Sequence, residues 1–297
     1  MSELPKLHVK TRFSFIYARI FAILSLKGLK TMIISASRRT DLPAFYTPWL
    51  LERIRAGFCQ WQNPYNPKQR KVISLKSEDV TAFVFWSKNP EPLLPHLPFL
   101  DSCGYVYYFQ FTLNNYPLLE PGLPQLPSRL DTFRRLSEQA GPARVVWRYD
   151  PIIISNATPF AYHLKTFRRL AEALKGATRR VVISFFDYYP KLKPRLGELK
   201  KTNGFLPLDP FATPEQMQGF CQSLKRIATR CGMEIFSCCE ELDPRFGIEP
   251  GACIDGALLA ELGVSVKLPK DKAQRKNCLC RSAIDLGAYD TCPHNCL

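Results

Sequence analysis

Short apolar runs alternate with longer amphipathic segments along the chain from residue 32 onward. Six of these runs are rich in β-branched and aromatic residues and have the length of a strand; they cover residues 32–37, 81–90, 105–113, 143–151, 179–187 and 233–238. Strands that are covered on both faces read as nearly continuous apolar runs rather than as strict alternation. The pattern therefore predicts six buried strands.

The segments between the runs carry helix start and stop signals. Four helices are predicted over residues 47–57, 128–141, 158–176 and 213–232. The first has Thr47 as a cap and Gly57 as its stop, the second has Ser128 as a cap, and the last begins with a capping box of Thr213 and Gln216. Two polar, proline-containing stretches, residues 61–69 and 188–211, are predicted to be loops.

Strands that alternate with helices indicate an α/β fold with a parallel sheet. The 297-residue length without its first 31 residues suits a TIM-like (β/α) barrel, full or partial, over residues 32–270. A doubly wound open sheet is the alternative, although no GxGxxG motif follows the first strand. Residues 271–297 form a separate cysteine-rich segment, which we expect to fold across the catalytic face of the barrel.

The first 31 residues have a different character. They contain six cations against Glu3 alone, and the apolar run FSFIYARIFAILSL is interrupted by Arg19. The run is too short and too charged for a transmembrane helix, and no small-residue cleavage site follows it. We expect Met32 to be the true start, so that residues 1–31 are a non-native extension; a basic helix lying on a membrane surface is the alternative.

Polar residues follow the apolar run of each strand. In a barrel these strand ends lie on one face, where active sites are built. We predict that eight of these residues bind cofactor and substrate: Arg38, Arg39, Asp41, Lys88, Asn89, Gln110, Arg148 and Asp150. Thr112, Asp187 and Glu240 close the remaining strands. The alternative is structural, with Asp41 capping a helix and Arg148–Asp150 or Lys88–Glu240 forming ordinary ion pairs.

The formal net charge of +15 favours an anionic partner, and arginine forks at the strand ends suit a carboxylate or phosphate. A basic, solvated surface explains the same charge. Eleven cysteines without a secretory signal indicate a reduced, cytoplasmic protein with metal or redox chemistry rather than disulfides.

Nine of the cysteines lie between Cys221 and Cys296. We predict that Cys238, Cys253, Cys278 and Cys280 converge on a metal, because clustered thiolates select zinc or an iron–sulfur cluster. No CxxC zinc-ribbon pair is present, and buried free cysteines that bind nothing remain the alternative.

The C-terminal stretch DLGAYDTCPHNCL contains Cys292 and Cys296 in a C-x-x-x-C spacing. Together with SASRRTDLPAF, FWSKNP, RYDPI, CEELD and DKAQRKNCLC, it resembles an uncharacterised family, domain of unknown function 1848 (DUF1848). The resemblance covers the chain from Met32 onward. The cysteine cluster of that family is similar to the cluster of radical S-adenosylmethionine enzymes, but its C-x-x-x-C-x-Y-C pattern has a third cysteine that would come two residues after Leu297. We expect a truncation at this point.

The resemblance implies a radical enzyme of unknown substrate, with Cys292 and Cys296 as ligands of a [4Fe–4S] cluster that binds S-adenosylmethionine. Cys278 or Cys280 would replace the third cysteine, and Cys238, Cys253, Cys278 and Cys280 would hold a second cluster or zinc. The implied partners are a small-molecule or anionic substrate and a reductant such as ferredoxin or flavodoxin, with no membrane. Two alternatives stay open: a non-catalytic protein stabilised by metal, and a basic protein that binds or repairs nucleic acid.

Overall fold

The computed structural model describes residues 32–240, 242–264, 268–272 and 274–297. The expectations about residues 1–31 lie outside the described residues. An eight-stranded parallel sheet forms the centre of the molecule. Its strands, from one edge to the other, are β10 (Ile284–Asp285), β1 (Met32–Ala36), β4 (Val80–Ser87), β5 (Tyr107–Thr112), β6 (Val145–Ile152), β7 (Arg180–Phe185), β8 (Glu234–Cys238) and β9 (Glu249–Gly251). The remaining two strands, β2 (Phe58–Asn63) and β3 (Asn66–Ser74), form an antiparallel hairpin.

Successive side chains of each central strand point to opposite faces of the sheet, as strand geometry requires. In β4, Phe83 and Phe85 belong to one apolar core, whereas Val84 belongs to the other. The same alternation holds for Tyr107, Tyr108 and Phe109 in β5. Both faces are therefore covered, which explains why the strands read as unbroken apolar runs.

Helices cover the larger core. The described helices are α1 (Leu42–Phe45), α2 (Thr47–Ala56), α3 (Leu97–Ser102), α4 (Leu126–Ala140), α5 (Phe160–Ala173), α6 (Lys193–Asn203), α7 (Pro214–Arg230) and α8 (Gly256–Glu261). Short 3-10 turns occupy Glu91–His96, Pro142–Arg144, Pro190–Leu192 and Pro244–Phe246. The buried residues of α2 to α5 and of α7 pack on one face of the sheet.

The second core is covered by the chain that follows β9. Cys253, Ile254, Leu258 and Leu259 pack there with Cys278 and Cys280, against Ile33, Val84 and other alternate residues of the strands. One short helix, α8, lies in this segment. The two faces of the sheet are thus covered differently, by helices on one side and mainly by irregular chain on the other.

The prediction of a TIM-like (β/α) barrel, full or partial, is wrong. The sheet is open in the described part of the chain: its edge strands β10 and β9 pair with β1 and β8, respectively, and not with each other. A closed barrel fills its interior with side chains from its own strands. Here the segment after β9 occupies that face instead, and the result is an open α/β sheet.

Local details also differ from the sequence predictions. The stretch at 61–69, predicted as a loop, belongs to the β2–β3 hairpin, and α6 lies within the second predicted loop. Thr47 is the first residue of α2 rather than its cap, and α4 begins at Leu126, before Ser128. Thr213 does precede α7, but its side chain makes no capping hydrogen bond. None of the described helices is long and apolar enough to cross a membrane.

Candidate functional site

A cavity of about 350 Å³ lies where β1, β4, β5 and β6 end. Its volume is within the range of about 300–1,000 Å³ that is typical of small-molecule sites. Its lining includes six of the eight predicted binding residues and both tail cysteines, namely Arg38, Arg39, Asp41, Lys88, Arg148, Asp150, Cys292 and Cys296. The carboxyl ends of parallel strands and the C-terminal tail therefore meet at one place.

Asp285 holds the end of β1 in position. Its carboxylate accepts hydrogen bonds from the hydroxyls of Ser35 and Ser37, both at 2.7 Å. It also accepts the backbone N–H of Arg38 at 3.0 Å and the Nε–H of the same residue at 3.1 Å. Because Asp285 lies on β10, beside β1, the pairing of these two strands fixes where Arg38 enters the cavity.

Asp41 connects this part of the site to the C-terminal tail. One carboxylate oxygen accepts the backbone N–H of Ala44 at 3.0 Å and caps α1. The other accepts the backbone N–H of Lys88 at 2.8 Å and lies 2.9 Å from Nε2 of His294. Asp41 thus has the predicted capping role and also contacts the tail. His294 is 2 % exposed, and its Nδ1 is buried without a hydrogen-bond partner among the described residues.

Lys88 lines the cavity and forms a close ion pair with Glu120, which lies in the connection before α4. Burial lowers the pKa of Lys88, but the charges of Glu120 and Cys296 outweigh that effect, and the pKa is raised. Burial raises the pKa of the Cys296 thiol, and the charge of Lys88 opposes the shift. The ammonium group is therefore next to a thiol that a metal would have to deprotonate.

Arg148 occupies the centre of the site. Its Nε–H and Nη2–H groups donate to Asp150, and its Nη1–H donates to Sγ of Cys253 at 2.7 Å. Burial raises the pKa of the Asp150 carboxyl, but the Arg148 charge and the hydroxyl of Ser184 outweigh it and hold the pKa below its usual value. Arg148 also lies over the ring of Trp86, 5.1 Å from its centre.

The cations at the strand ends, which were expected to attract an anion, are balanced by carboxylates. Lys88 and Arg148 pair with Glu120 and Asp150, and Arg38 pairs with Asp285. Arg39 lies 3.8 Å from the same Asp285 carboxylate. Ion pairs of this kind hold the long side chains in place, so the cavity presents ordered groups of both signs rather than a free positive field.

The C-terminal tail is docked over the cavity. The backbone N–H of Gly122 donates to His294 O at 3.1 Å, and that of Leu297 donates to Leu119 O at 2.9 Å. Arg195 donates to the carbonyls of Asn295 and Cys296. The side chain of Leu297 packs against the small apolar cluster that contains Tyr116 and Leu119.

The four upstream cysteines lie in the second core. The sulfurs of Cys238 and Cys253 are 2.9 Å apart, and Cys278 and Cys280 pack with Cys253 in the same cluster. Across the described residues, however, no three His, Cys, Asp or Glu side chains are arranged as the ligands of a metal ion. The thiols are in contact, but the geometry of a metal site is not present.

Other predicted residues lie apart from the cavity. Gln110 is buried beneath the second core and donates to Cys253 O at 2.7 Å. Asn89 follows the turn after β4 and donates its backbone N–H to the Ser87 hydroxyl. Glu240 accepts the backbone N–H of Phe185 rather than pairing with Lys88, and Asp187 pairs with Arg275.

Asp285, Glu120 and His294 were not predicted to belong to the site. Asp285 falls in a two-residue strand, which is too short to show a periodicity. Glu120 lies in a proline-rich connection with no strand or helix of its own. His294 had a usable signal, because it lies between the two cysteines of the tail motif.

Comparison with known proteins gives the family but no activity. A search of curated proteins found no match to this chain. The profile of one family, described as Domain of unknown function (DUF1848), matches residues 33–297. This match spans the whole sheet and the C-terminal tail and confirms the family suggested by the sequence motifs. The chain belongs to the DUF1848 family.

Proposed function

We propose that the chain is an iron–sulfur enzyme of the radical S-adenosylmethionine type, with Cys292 and Cys296 as ligands of a [4Fe–4S] cluster. The observation that carries the proposal is the position of these two thiols on the same cavity as Arg38, Lys88 and Arg148. A site that starts a radical reaction has to lie beside the groups that hold the reactants, because proximity and orientation supply much of the rate.

The residues fit the cluster in their donor chemistry. Thiolates are the usual ligands of iron–sulfur clusters. Cys292 is exposed and Cys296 is half-buried, so both are reachable from the cavity that they line. The described residues that line it include no third cysteine, and neither Cys278 nor Cys280 is among them. The chain therefore supplies two thiolates here, and a third ligand has to come from another donor.

The balanced charges of the cavity suit a zwitterionic ligand. S-adenosylmethionine carries an amino group, a carboxylate and a sulfonium. Arg38 and Arg39 bring guanidinium groups to the lining that suit a carboxylate, while Asp150 brings a carboxylate that suits a cationic group. A cavity with only cations would repel the sulfonium and the amino group.

A bound and reduced cluster would supply the one electron that reductive cleavage of the sulfonium requires. The task of the protein is to bind, orient and protect that reaction from water. The docked tail, held through His294 and Asp41, forms part of the cavity wall. Lys88 and Arg148 are held by their carboxylate partners in fixed positions around the reactants.

Anaerobic reconstitution with iron and sulfide tests the cluster. The chain and a version continued by Tyr-Cys after Leu297 should both be measured, and the continued chain should bind about four irons and four sulfides. Replacing Cys292 or Cys296 by Ser should abolish that uptake, whereas Cys103→Ser, at a half-buried cysteine after α3, should leave it unchanged. Equal iron in all of these chains would contradict the proposal.

A nucleic acid is a second candidate, as the partner of the basic hairpin β2–β3. Residues 58–74 contain three cations and no carboxylate. Tyr65 at the tip is 85 % exposed. The ring of Tyr289 lies 5.6 Å from the guanidinium of Arg39, which lines the cavity. Exposed aromatic rings and cations are the groups that bind single strands.

Salt dependence tests this candidate. A fluorescent single-stranded oligonucleotide should bind with an affinity that falls steeply as salt rises, and the double variant K68E/R70E should reduce the slope of log K against log salt by about 2 or more. The variant K200E/K201E, with the same charge change on α6, should have a smaller effect. Binding that ignores salt, or equal losses in both variants, would exclude the hairpin as a nucleic-acid site.

A further inference from the structure

Four cysteines of the second core are not used by the proposed tail cluster. Cys238 ends β8, Cys253 follows β9, and Cys278 and Cys280 belong to a later stretch of the chain. Cys253, Cys278 and Cys280 are each at most 6 % exposed, and Cys238 packs against them. The sulfurs of Cys238 and Cys253 are 2.9 Å apart. A single buried cysteine is ordinary packing, but four from three separate segments in one core are not.

The backbone around these thiols is held firmly. The carbonyl of Cys253 accepts the Tyr108 hydroxyl at 2.6 Å and the Gln110 amide at 2.7 Å. The backbone N–H of Ile254 points at Sγ of Cys280, 3.4 Å away, and Asp271 donates its N–H to Cys280 O at 2.8 Å. Ligand-bearing loops that are fixed by outer hydrogen bonds are a usual feature of thiolate metal sites.

Cationic groups adjoin the thiols. Arg148 Nη1–H donates to Cys253 Sγ at 2.7 Å, while the other two nitrogens of the same guanidinium, Nε and Nη2, donate to Asp150. Burial lowers the pKa of Arg38, but the charge of Asp285 and, to a smaller extent, that of Cys280 outweigh this effect and raise it. Four thiolates around a divalent ion carry a net charge of about −2, and the Nη1–H of Arg148 is placed to donate to one of these sulfurs.

We propose that Cys238, Cys253, Cys278 and Cys280 bind one Zn²⁺ ion. The ion ties the end of β8 to the two later segments that cover the second face of the sheet. A bare ion suits this place better than an iron–sulfur cluster, because the sulfurs of Cys238 and Cys253 are 2.9 Å apart and leave no room between them for irons and sulfides.

Metal binding requires a small rearrangement of the thiols. Zinc–sulfur bonds of about 2.3 Å in a tetrahedron put neighbouring sulfurs about 3.8 Å apart. The 2.9 Å contact between Cys238 and Cys253 is closer than that, and the four residues do not already have the geometry of a site. Rotation of the Cys238 and Cys253 side chains that moves their sulfurs about 1 Å further apart would provide this spacing. The four thiols lose their protons on binding.

The zinc content of the full-length chain tests the site. Protein purified under reducing conditions with Zn²⁺ present, followed by removal of loosely bound ion, should retain about one zinc per chain. Cys253→Ser and Cys280→Ser should each lose most of it. Cys221→Ser is the matched control, because Cys221 is a fully buried cysteine on α7 in the other core, and it should keep the metal.

A measurement on the unmutated chain covers the case in which the serine variants do not fold. Co²⁺ in place of zinc should give the strong near-ultraviolet sulfur-to-cobalt absorption and the visible bands of a tetrahedral thiolate site, and Zn²⁺ should displace them. Alkylation of the chelator-treated chain, mapped by mass spectrometry, should then modify Cys238, Cys253, Cys278 and Cys280 at least about tenfold faster than in the zinc-loaded chain.

Three results would overturn the assignment. The first is the absence of zinc from the unmutated chain, and the second is zinc that is retained in Cys253→Ser. The third is iron with sulfide at the same four cysteines, which would make the site a cluster site. None of these results depends on Cys292 or Cys296, so the tail cluster stands or falls separately.

Discussion

Two carboxylates, Asp285 and Asp41, organise the candidate site at the level of single residues. Asp285 collects donors from Ser35, Ser37 and Arg38, and Asp41 collects donors from two backbone groups and His294. Each carboxylate joins segments that are far apart in sequence. Charge-assisted bonds of this kind are shorter and stronger than neutral ones, and they set the positions of the groups that line the cavity.

Asp285→Asn should destabilise the protein by about 2–4 kcal/mol, because an amide donor would face hydroxyl and guanidinium donors in a buried place. Asp131→Asn, which removes only an exposed pair with Arg135, should change the free energy of unfolding by less than about 0.5 kcal/mol. Urea denaturation measures both. Equal effects would show that the buried network does not stabilise the fold.

His163 should give the protein a specific weakness towards acid. It is fully buried, its Nε2–H donates to Ile153 O, and its Nδ1 accepts the Tyr149 hydroxyl. Burial lowers the pKa of His163 from 6.5 to about 4. The unfolded chain therefore takes up a proton that the folded chain refuses, so stability is full above about pH 6.5 and is lost as pH falls towards 4.

The expected loss from His163 is about 3 kcal/mol between pH 7 and pH 4. Denaturation curves across this range should show a smaller acid loss for His163→Gln than for the unmutated chain. His96→Gln, at a partly exposed histidine, should follow the unmutated chain. An unchanged acid loss in His163→Gln would mean that this histidine is protonated in the folded state.

At the scale of elements, the docking of the C-terminal tail places Cys292, His294 and Cys296 in the cavity wall. The tail meets the connection before α4 at Gly122, where two backbones approach closely. A Cβ on this residue would lie 2.4 Å from His294 O, a contact that real side chains do not make. Glycine is therefore required by the close approach of the chain.

Gly122→Ala should displace the tail and raise the rate at which iodoacetamide modifies Cys296 by about tenfold or more, since local opening exposes a half-buried thiol. Gly219→Ala is the matched control, because an added Cβ there meets nothing within 4 Å. Intact-mass kinetics follow both. If the two variants react alike, the tail is not held through Gly122.

The sequence predicted the central strands and helices because the local pattern of apolar and polar residues determines them. All six predicted strands and the four predicted helices are present, with ends shifted by a few residues. The hairpin β2–β3 was missed because most of its side chains are exposed and carry no apolar alternation. β10 was missed because a strand of two residues exists only through its pairing with β1.

At the scale of the whole molecule, the open sheet follows from what covers its two faces. Periodicity predicts strands and their direction but not whether the sheet closes, because closure depends on residues distant in sequence. The cysteine-bearing chain after β9 fills one face, and helices fill the other. The candidate cavity lies at the carboxyl ends of the strands, which is where open α/β sheets usually bind ligands.

The sequence could name many of the cavity residues but not their partners. Arg38, Lys88, Arg148 and the two tail cysteines were predicted from their positions after strands and from the motif, and the structure brings them to one cavity. The pairing of Lys88 with Glu120 and of Arg38 with Asp285 depends on the fold. For this reason the sequence predicted a positively charged site, whereas in the structure these cations are paired with carboxylates.

The most direct test of the account is the cleavage of S-adenosylmethionine by the anaerobically reconstituted, chemically reduced protein, measured as 5′-deoxyadenosine and methionine. The chain continued by Tyr-Cys after Leu297 should form 5′-deoxyadenosine, the chain that ends at Leu297 should form much less, and Cys292→Ser and Cys296→Ser versions of the continued chain should form none. If the continued chain binds iron and sulfide but leaves S-adenosylmethionine intact, or takes up no iron, the proposed radical chemistry at this cavity is contradicted.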